Sequence, residues 1–364
     1  MRVGMISPYS LTVPGGVQGQ ILGLARSLRE LGIDTRVLGP CDGPPPDAGV
    51  TPLGNSLPTA SNGSVAPIAP DPSAQLRVIR ALRDEAFDVL HLHEPMVPGP
   101  TMTALVLKQA PIVATFHRAG ESRSYQTFGR GLRWLRARIE VSVAVSEEAA
   151  ALARGQLGGD YDVLFNGVEV ARYREIDAVK APQRTILFVG RHEPRKGLGV
   201  LLSTLPDLPP DIRIWVASDG PQTAELTSMW AGDPRIEWLG RISEHEKVAR
   251  MKAATVFCAP SLGGESFGVV LLEAMAAETP IVASALDGYA KVARSGVDAL
   301  LTPPGDVAAL GAALRRVLDD EALATRLVAS GRARAEEFSM RRLAEAYLAR
   351  YQQAIGAAPV TSLA

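Results

Sequence analysis

Residues 1–38, MRVGMISPYSLTVPGGVQGQILGLARSLRELGIDTRVL, carry the pattern that decides the fold. Two short runs rich in β-branched and apolar residues, Val3–Ser7 and Thr35–Leu38, predict strands. Between them, apolar residues recur at spacings of three and four, which predicts a helix with one buried face that ends at Gly32. The buried face consists of Val17, Ile21, Leu24, Leu28 and Leu31. A strand, a helix and a second strand in this order predict a parallel sheet that is covered by helices.

The same alternation continues along the chain, where Ser146 is expected to cap a helix. In the first half, further strands are expected at Val89–His93, Ile112–Thr115, Ser142–Val145 and Val163–Phe165. The alternation resumes after a less regular stretch to about Gln183, which we interpret as a linker. In the second half, strands are expected at Thr185–Val189, Ile212–Ala217, Ile236–Leu239, Thr255–Ala259, Ile281–Ala283 and Ala299–Leu301.

The length of the chain indicates more than one core. Because 364 residues are long for a single core, we predict an α/β protein with two Rossmann-like domains, residues 1–168 and 169–339. The last helical pattern, from about residue 340 to 364, can cross back onto the first domain. Nine prolines between Pro40 and Pro72 exclude a regular helix or a central strand there, so that segment is expected to be a loop or a sheet edge.

Composition excludes several classes of protein. The formal net charge of -1 and a pI near 6.6 provide no global basic field, which disfavours a nucleic acid partner. Cys41 and Cys258, the only cysteines, are too few for a zinc cluster or a disulfide framework and are expected to be inert thiols in a reducing compartment. The sequence shows no signal-peptide pattern and no run of roughly 18 apolar residues. We therefore expect a cytoplasmic protein whose membrane contacts are at most peripheral.

Three segments place backbone amides or cations where a predicted strand ends and a helix begins, the position at which open parallel sheets bind ligands. The first is Gly15–Gly16, whose lack of side chains lets the backbone approach an anion, although a tight turn explains it equally well. The second is the loop Gly190–Gly197, in which Arg191 and Lys196 are placed to contact a diphosphate. A guanidinium and a mobile ammonium together suit a leaving group that gains negative charge.

The third segment contains Glu265 and Glu273, eight positions apart at the expected start of a helix. On one helix they would be separated by roughly 12 Å, the length of a sugar, a diphosphate and a ribose. Glu265 is expected to contact sugar hydroxyls, and Glu273 ribose hydroxyls. Amides near Phe267, Gly268 and Val269 are expected to face the phosphates, and Ser266 and Val270 are further candidates for binding the donor.

Histidines lie near the ends of two first-half strands. His117 follows the strand that begins at Ile112, where it can bind a sugar hydroxyl or assist charge at a reacting carbon. His91 and His93, on either side of Leu92, are expected to point to different faces of their strand, so both are assigned to structure.

Together these segments resemble the family 4 retaining glycosyltransferases of GT-B fold, in which two Rossmann-like domains have a cleft between them. The similarity covers almost the whole chain, and it is strongest to the actinobacterial phosphatidylinositol mannosyltransferases, which use GDP-mannose. The family-wide motif is the pair Glu265 and Glu273 with seven residues between them. The narrower motifs are Met5–Ser10, Pro14–Gln18, Asn62–Ser64, His91–Pro95 and Ala259–Gly268.

The resemblance implies roles for the candidate residues. Arg191 and Lys196 would hold the diphosphate, Glu265 the mannose and Glu273 the ribose, with His117 beside the reacting sugar. The other residues expected at the donor are Gly15 and Gly16 at the phosphates and Ile242, Glu244 and Lys247 at the base, where Glu244 can accept from guanine N–H groups. The residues expected to face the acceptor are Tyr9, Gln18, Asn62 and Arg118.

No resident metal or cofactor is expected. Asp160 and Asp162 have the spacing used by metal-dependent glycosyltransferases, but they precede a predicted strand instead of following one, and we interpret them as a surface turn. His117, Arg191, Lys196 and Glu265 are therefore the predicted catalytic residues, with cations and helix amides in place of a divalent ion.

The acceptor and the donor remain open at this point. The partners implied by the resemblance are a nucleotide sugar and a lipid or small-molecule acceptor, and a UDP-sugar donor is an alternative. Two basic amphipathic patterns, one around Arg77, Arg80 and Arg83 and one around Arg133, Arg136 and Arg138, can contact anionic lipid or can be solvated faces. A sugar-nucleotide 2-epimerase and a lectin-like binder are further alternatives.

Overall fold

The computed structural model describes residues 1–13, 15–61, 64–118 and 133–357. The described residues divide into two compact units. The first unit consists of residues 1–167 and the helix Met340–Ala357, and the second of Val168–Ser339. In the described part of the chain, no helix is both long enough and apolar enough to span a lipid bilayer.

The first unit is built on a parallel sheet. Within the described residues its strand order is β3-β2-β1-β6-β7-β8-β9, and Val3 of β1 pairs with Thr35 on one side and with Val89 on the other. The strands of this unit are β1 Arg2–Ile6, β2 Asp34–Gly39, β3 Val50–Pro52, β4 Leu57–Ser61, β5 Ser64–Ile68, β6 Val89–His93, β7 Ile112–Phe116, β8 Val141–Ala144 and β9 Asp162–Val163. The order reverses between β1 and β6, so the loops that follow these strands are expected to border a ligand site.

Helices cover both faces of this sheet. They are α1 Gly16–Glu30, α2 Pro72–Glu85, α3 Pro100–Leu107 and α4 Glu147–Leu157, together with the carboxy-terminal helix Met340–Ala357. The carboxy-terminal helix packs against α1, and its Tyr347 and Tyr351 are buried in the same core as Ile21 and Val89. Ser146 caps α4 as predicted, because its Oγ accepts from the backbone N–H of Ala149 at 3.1 Å.

The second unit contains a parallel sheet with the order β12-β11-β10-β13-β14-β15. Its strands are β10 Thr185–Val189, β11 Arg213–Ala217, β12 Ile236–Gly240, β13 Val256–Ala259, β14 Ile281–Ser284 and β15 Leu300–Thr302. Its helices are α5 Val170–Glu175, α6 Leu198–Leu202, α7 Thr223–Met229, α8 Glu244–Ala253, α9 Val269–Ala276, α10 Asp287–Ala290, α11 Val307–Asp319 and α12 Glu321–Glu337, and the carboxy-terminal helix of the first unit is then α13. The order reverses between β10 and β13, so the loops that follow these two strands meet.

Two segments are more regular than the sequence indicates. The proline-rich segment contains β3, which is the edge strand of its sheet, and the antiparallel hairpin of β4 and β5, where Pro58 lies opposite Pro67. Edge and hairpin positions tolerate prolines because they demand fewer N–H donors than a central strand. The predicted linker to Gln183 contains α5, and the strand expected at Val163–Phe165 is Asp162–Val163. The other predicted strands are confirmed within one residue at each end.

Candidate active site

The loop after β10 carries the predicted phosphate-binding cations. Arg191 is half exposed and lies 3.2 Å from the carboxylate of Glu193, and a single 3-10 turn, Pro194–Lys196, follows. Gly197 then adopts φ +70°. A Cβ at Gly197 would lie 1.9 Å from the carbonyl oxygen of Pro260, so only glycine permits this loop to pack against the end of β13. This contact brings Lys196 to the segment that contains Glu265.

Glu265 is the centre of a compact polar cluster. Its Oε1 accepts from Lys196 Nζ at 2.6 Å and from Ser261 Oγ at 3.1 Å, and Arg195 lies 3.6 Å away. The Glu265 side chain is only 12% exposed, so the two cations offset the cost of burying its charge. Lys196 and Glu265, predicted to serve the same donor, therefore contact each other directly.

Glu265 and Glu273 do not lie on one helix. Glu265 belongs to the loop before α9, which begins only at Val269 after Gly268 with φ +94°. The prediction that a helix starts at Glu265 is therefore wrong, and the estimated separation of the two carboxylates loses its basis. Gly268, at the N-cap position, has no side chain that could make a capping bond to α9. The backbone N–H groups of Val269 and Val270, at the first turn of α9, are therefore available to donate hydrogen bonds to an anion.

The residues just before α9 contribute through their backbones. The side chain of Phe267 is buried at 2% exposure and packs against Phe338, so it is positioned to hold the loop and not to contact a ligand. Ser266 is exposed, and its carbonyl accepts from Lys291 Nζ at 3.2 Å. What this segment offers a ligand is main-chain N–H groups at the positive end of a helix.

Glu273 has the partner that its burial requires. Lys247 Nζ lies 2.9 Å from Glu273 and 2.7 Å from Glu244, and Ser243 caps the helix that carries Lys247. Burial opposes the Lys247 charge, but the two carboxylates outweigh it and raise the pKa of Lys247 from 10.5 to about 12. The predicted ribose and base residues thus form one charge network, with Ile242 half-buried at its edge.

Tyr173, in the stretch that we interpreted as a linker, borders this network. It is 6% exposed, and its pKa is raised well above the ordinary value by burial and then by the charges of Glu273 and Glu244. No motif in the sequence indicates this position. Its packing becomes visible only because α5 lies against α9.

Replacing Lys247 with Met is expected to lower the free energy of unfolding by about 2 kcal/mol, because Glu273 loses its counter-charge. The folded-state pKa of Lys247 is raised, so its contribution is complete below pH 10.5 and is lost as the pH rises through about 12. Urea denaturation at pH 8 and at higher pH measures both effects. The difference between wild type and variant should shrink at the higher pH, whereas the exposed Lys180→Met should have no effect at either. Equal stability of wild type and Lys247→Met at pH 8 would contradict this assignment.

In the first unit, Glu94 organises the end of β6. Its backbone adopts the left-handed region at φ +48°, and its side chain is 2% exposed. The carboxylate accepts from the backbone N–H groups of His117 at 2.6 Å and of Arg118 at 2.7 Å. A strained backbone and a buried charge at one residue are typical of a functional site. Glu94 lies within the motif His91–Pro95, but nothing in the sequence predicts this role for it.

His93 is hydrogen-bonded to His117, and the prediction that His91 and His93 point to different faces of their strand is wrong. His91 and His93 point to the same face of β6, with ring centroids 4.2 Å apart, because side chains two positions apart in a strand share a face. His93 Nδ1 lies 2.9 Å from His117 Nε2. His91 remains structural, since Tyr351 and Thr115 occupy its two ring nitrogens at 2.8 and 2.7 Å. Burial lowers the pKa of His117 to about 4, so its ring is neutral near pH 7.

The predicted acceptor residues that the structure describes lie in two different environments. Tyr9 and Arg118 lie near Glu94, and burial followed by the Glu94 charge raises the pKa of Tyr9 well above its ordinary value, while Arg118 opposes this. Gln18 is 7% exposed, and its side chain folds back toward Gly15. Contact between Gln18 and an acceptor therefore requires another rotamer. Asn62 lies outside the described residues.

The remaining sequence predictions concern glycines, cysteines and a metal. Gly15 and Gly16 begin α1, and a Cβ at Gly16 would meet no atom within 4 Å, so protein packing does not require glycine there. Cys41 and Cys258 are buried and unbridged, and burial raises the pKa of both thiols. Asp162 lies in β9 and pairs with Arg350 at 3.0 Å. Among the described residues, no three His, Cys, Asp or Glu side chains are grouped as a metal site would require.

Comparison with known proteins gives the family. Residues 14–172 match Glycosyltransferase Family 4, and residues 183–320 match Glycosyl transferases group 1. The phosphatidyl-myo-inositol mannosyltransferase of Mycobacterium leprae is 42% identical over 344 residues, which cover 91% of each chain. The chain belongs to the family 4 glycosyltransferases. A second relative of this glycosyltransferase, the phosphatidyl-myo-inositol mannosyltransferase of Mycolicibacterium smegmatis, is 40% identical and covers 93% of this chain and 90% of its own.

Solved structures confirm the fold of the glycosyltransferase. The structure of Anabaena Alr3699/HepE in complex with UDP-glucose has a TM-score of 0.73 with 19% sequence identity, and the match covers 97% of this chain and 99% of that one. The sucrose-phosphate synthase of Thermosynechococcus elongatus has a TM-score of 0.72 with 20% identity, covering 98% of this chain and 100% of the other. The predicted α/β class and GT-B fold are thereby confirmed.

Proposed function

We propose that this glycosyltransferase moves mannose from GDP-mannose to a phosphatidylinositol-type lipid with retention of configuration. The observation that carries the proposal is the direct contact of Lys196 with Glu265 beside the uncapped start of α9, with Arg191 on the same loop as Lys196. That arrangement offers positive charge for a diphosphate next to a carboxylate for sugar hydroxyls. The names of the two mycobacterial relatives, at 42% and 40% identity, support mannose as the sugar and phosphatidylinositol as the acceptor.

The donor is assigned to the second unit. Lys196, Arg191 and the amides of Val269 and Val270 receive the diphosphate, and Glu265 accepts from sugar hydroxyls. Glu273 is held by Lys247 and receives the ribose hydroxyls. Glu244 is 62% exposed, so its second oxygen is open to N–H donors of a guanine edge.

In the proposed chemistry, the bond between the sugar carbon and the phosphate oxygen breaks first, through an oxocarbenium-like state. Lys196, Arg191 and the α9 amides stabilise the negative charge on the departing diphosphate. The acceptor hydroxyl attacks from the face that the diphosphate leaves, and its proton passes to a phosphate oxygen. Those protein charges act where other enzymes use a divalent ion, and we propose that the protein holds no metal of its own. Isolation of a covalent glycosyl-enzyme would overturn the front-face step.

The test of the proposed function uses the full chain with defined substrates. Thermal unfolding in the presence of GDP-mannose, UDP-glucose or UDP-N-acetylglucosamine identifies the donor, since selective binding raises Tm. Incubation of GDP-mannose with phosphatidylinositol should then yield a mannosylated lipid with GDP. Conversion of the donor alone to another sugar nucleotide would indicate an epimerase. Stabilisation by a UDP-sugar and not by GDP-mannose would overturn the donor assignment.

We also propose that the first unit contacts an anionic membrane through α2 and through the helical residues 133–136. Leu76 is 66% exposed and Ile79 is 37% exposed on α2, beside Arg80 and Arg83, and Trp134 is 59% exposed. Such a face inserts apolar side chains while arginines bind lipid phosphates.

The second predicted basic pattern has fewer exposed arginines than the sequence indicates. Arg133, Arg136 and Arg138 each donate to a backbone carbonyl, of Gln156, Asp160 and Val106 respectively, and of the three only Arg133 is exposed.

Replacing Trp134 with Ser is expected to weaken binding to vesicles that contain phosphatidylinositol by about tenfold, because an exposed apolar ring no longer inserts. Co-sedimentation with vesicles measures this, and neutral phosphatidylcholine vesicles give the baseline. The matched control is Met229→Ser, which removes a side chain 66% exposed on the second unit. The proposed surface would be contradicted if both variants lost binding equally, or if neither variant lost binding.

A further inference from the structure

The hydrogen bond between His93 and His117 couples the protonation of the two rings. His93 Nδ1 and His117 Nε2 are 2.9 Å apart, and the rings are tilted by 31°. A neutral imidazole has one N–H donor and one acceptor nitrogen. One ring must therefore donate in this bond and the other must accept, so the tautomer of each ring determines that of the other.

The surroundings of His93 decide which ring donates. His93 is 2% exposed, and its Nε2 is buried with no hydrogen-bond partner among the described residues. The neighbouring His91 cannot serve, because Tyr351 and Thr115 already occupy both of its ring nitrogens. If His117 donated, His93 would carry its own proton on Nε2 as a buried N–H with no acceptor. Among backbone groups, orphaned N–H donors are rarer than under-satisfied carbonyl acceptors, and the same preference assigns the donor role in this bond to His93 Nδ1.

The consequence for His117 concerns its second ring nitrogen. With Nε2 accepting from His93, the single proton of neutral His117 is on Nδ1. In the described part of the chain, no protein group is hydrogen-bonded to His117 Nδ1. Two backbone N–H bonds to Glu94, from His117 itself and from Arg118, hold the chain that carries this ring.

We propose that His93 is a positioning residue that holds His117 as the tautomer with its proton on Nδ1, so that His117 meets its ligand as a hydrogen-bond donor. This deepens the proposed function and rests on it only for the identity of the ligand, an oxygen of the acceptor. A nitrogen that already carries a proton cannot take the proton of the attacking hydroxyl. That proton therefore goes to the departing phosphate, as in the proposed front-face route.

The test is the tautomer of His117 in the full chain without substrate, measured by long-range ¹⁵N–¹H correlation after labelling histidine with ¹⁵N. The His117 signals are assigned from their loss in His117→Gln. The wild type should show the proton on Nδ1. His93→Asn, whose amide nitrogen can replace Nδ1 as a donor, should keep this pattern, whereas His93→Leu should move the proton to Nε2, the nitrogen that histidine favours in water. A wild-type His117 protonated on Nε2 would overturn the proposal, and so would a pattern unchanged in His93→Leu.

Activity provides a second, separable readout. His93→Leu should lower kcat by about tenfold with little change in KM for the donor, and His93→Asn should retain most of kcat. If the leucine variant does not fold, the wild-type spectrum and the asparagine variant still decide the tautomer. Absence of mannosyl transfer in the wild type would refute the proposed function but leave the tautomer result standing, because the spectrum needs no substrate.

Discussion

Lys196→Ala is expected to lower kcat about a thousandfold, the effect of removing a charged donor from a departing anion in a preorganised site. Lys196 Nζ contacts Glu265 at 2.6 Å, and Gly197 fixes its loop against Pro260, so the ammonium is positioned before the donor binds. Its interaction strengthens as the diphosphate gains charge, which lowers the barrier more than it tightens ground-state binding. Steady-state kinetics with GDP-mannose measure this loss.

The control for Lys196→Ala is Lys180→Ala, which removes an exposed lysine of the same unit and should leave kcat unchanged. Affinity for GDP, measured by calorimetry, should fall by about tenfold in Lys196→Ala, because the product diphosphate carries the charge that the lysine binds. A variant that keeps kcat within a few-fold of the wild type, while folding normally, would contradict the role given to Lys196.

Glu265→Gln is expected to reduce kcat/KM about a hundredfold, since hydrogen bonds to a charged acceptor are stronger than those to an amide. The substitution keeps the shape of the side chain and can still accept from Ser261, but it removes the charge that Lys196 and Arg195 face. The hydrogen bonds to sugar hydroxyls should weaken, and Lys196 should be held less firmly in place. Glu225→Gln, at an exposed position on α7, is the matched control and should have no effect.

A double-mutant cycle separates the two roles of Glu265. If Glu265 and Lys196 act as one unit, the combined variant should lose far less than the product of the two single losses. Fully multiplicative losses would show that the carboxylate and the ammonium work independently, which would contradict a shared role at the donor.

The fold was predictable because parallel strands buried on both faces leave a strong apolar signal. The strands at Val89–His93 and Thr185–Val189 were placed correctly at both ends. The loops at Arg191 and Glu265 were predicted to bind one donor because each follows a predicted strand and precedes a helix. The sequence indicated neither the strand order, in which β10 and β13 are neighbours at the reversal, nor the contact between Lys196 and Glu265.

The parts that could not be predicted depend on backbone conformation and on distant packing. Glu94 adopts a left-handed backbone conformation, and its carboxylate accepts from the backbone N–H groups of His117 and Arg118. No local sequence pattern indicates this conformation. Tyr173 was missed because its burial arises from contact of α5 with α9. His93 is a different case, since the two-residue period of a strand was sufficient to place it beside His91 and was misapplied. The helix assumed at Glu265 begins four residues later because Gly268 adopts a positive φ.

The proposed transfer depends on Lys196, Arg191 and the first amides of α9, which together neutralise the diphosphate of the donor. A crystal structure of the full chain with GDP-mannose tests this assignment. We predict phosphate oxygens within about 3 Å of Lys196 Nζ, of the Arg191 guanidinium and of the backbone nitrogens of Val269 or Val270. A bound donor whose phosphates contact none of these groups would contradict the account.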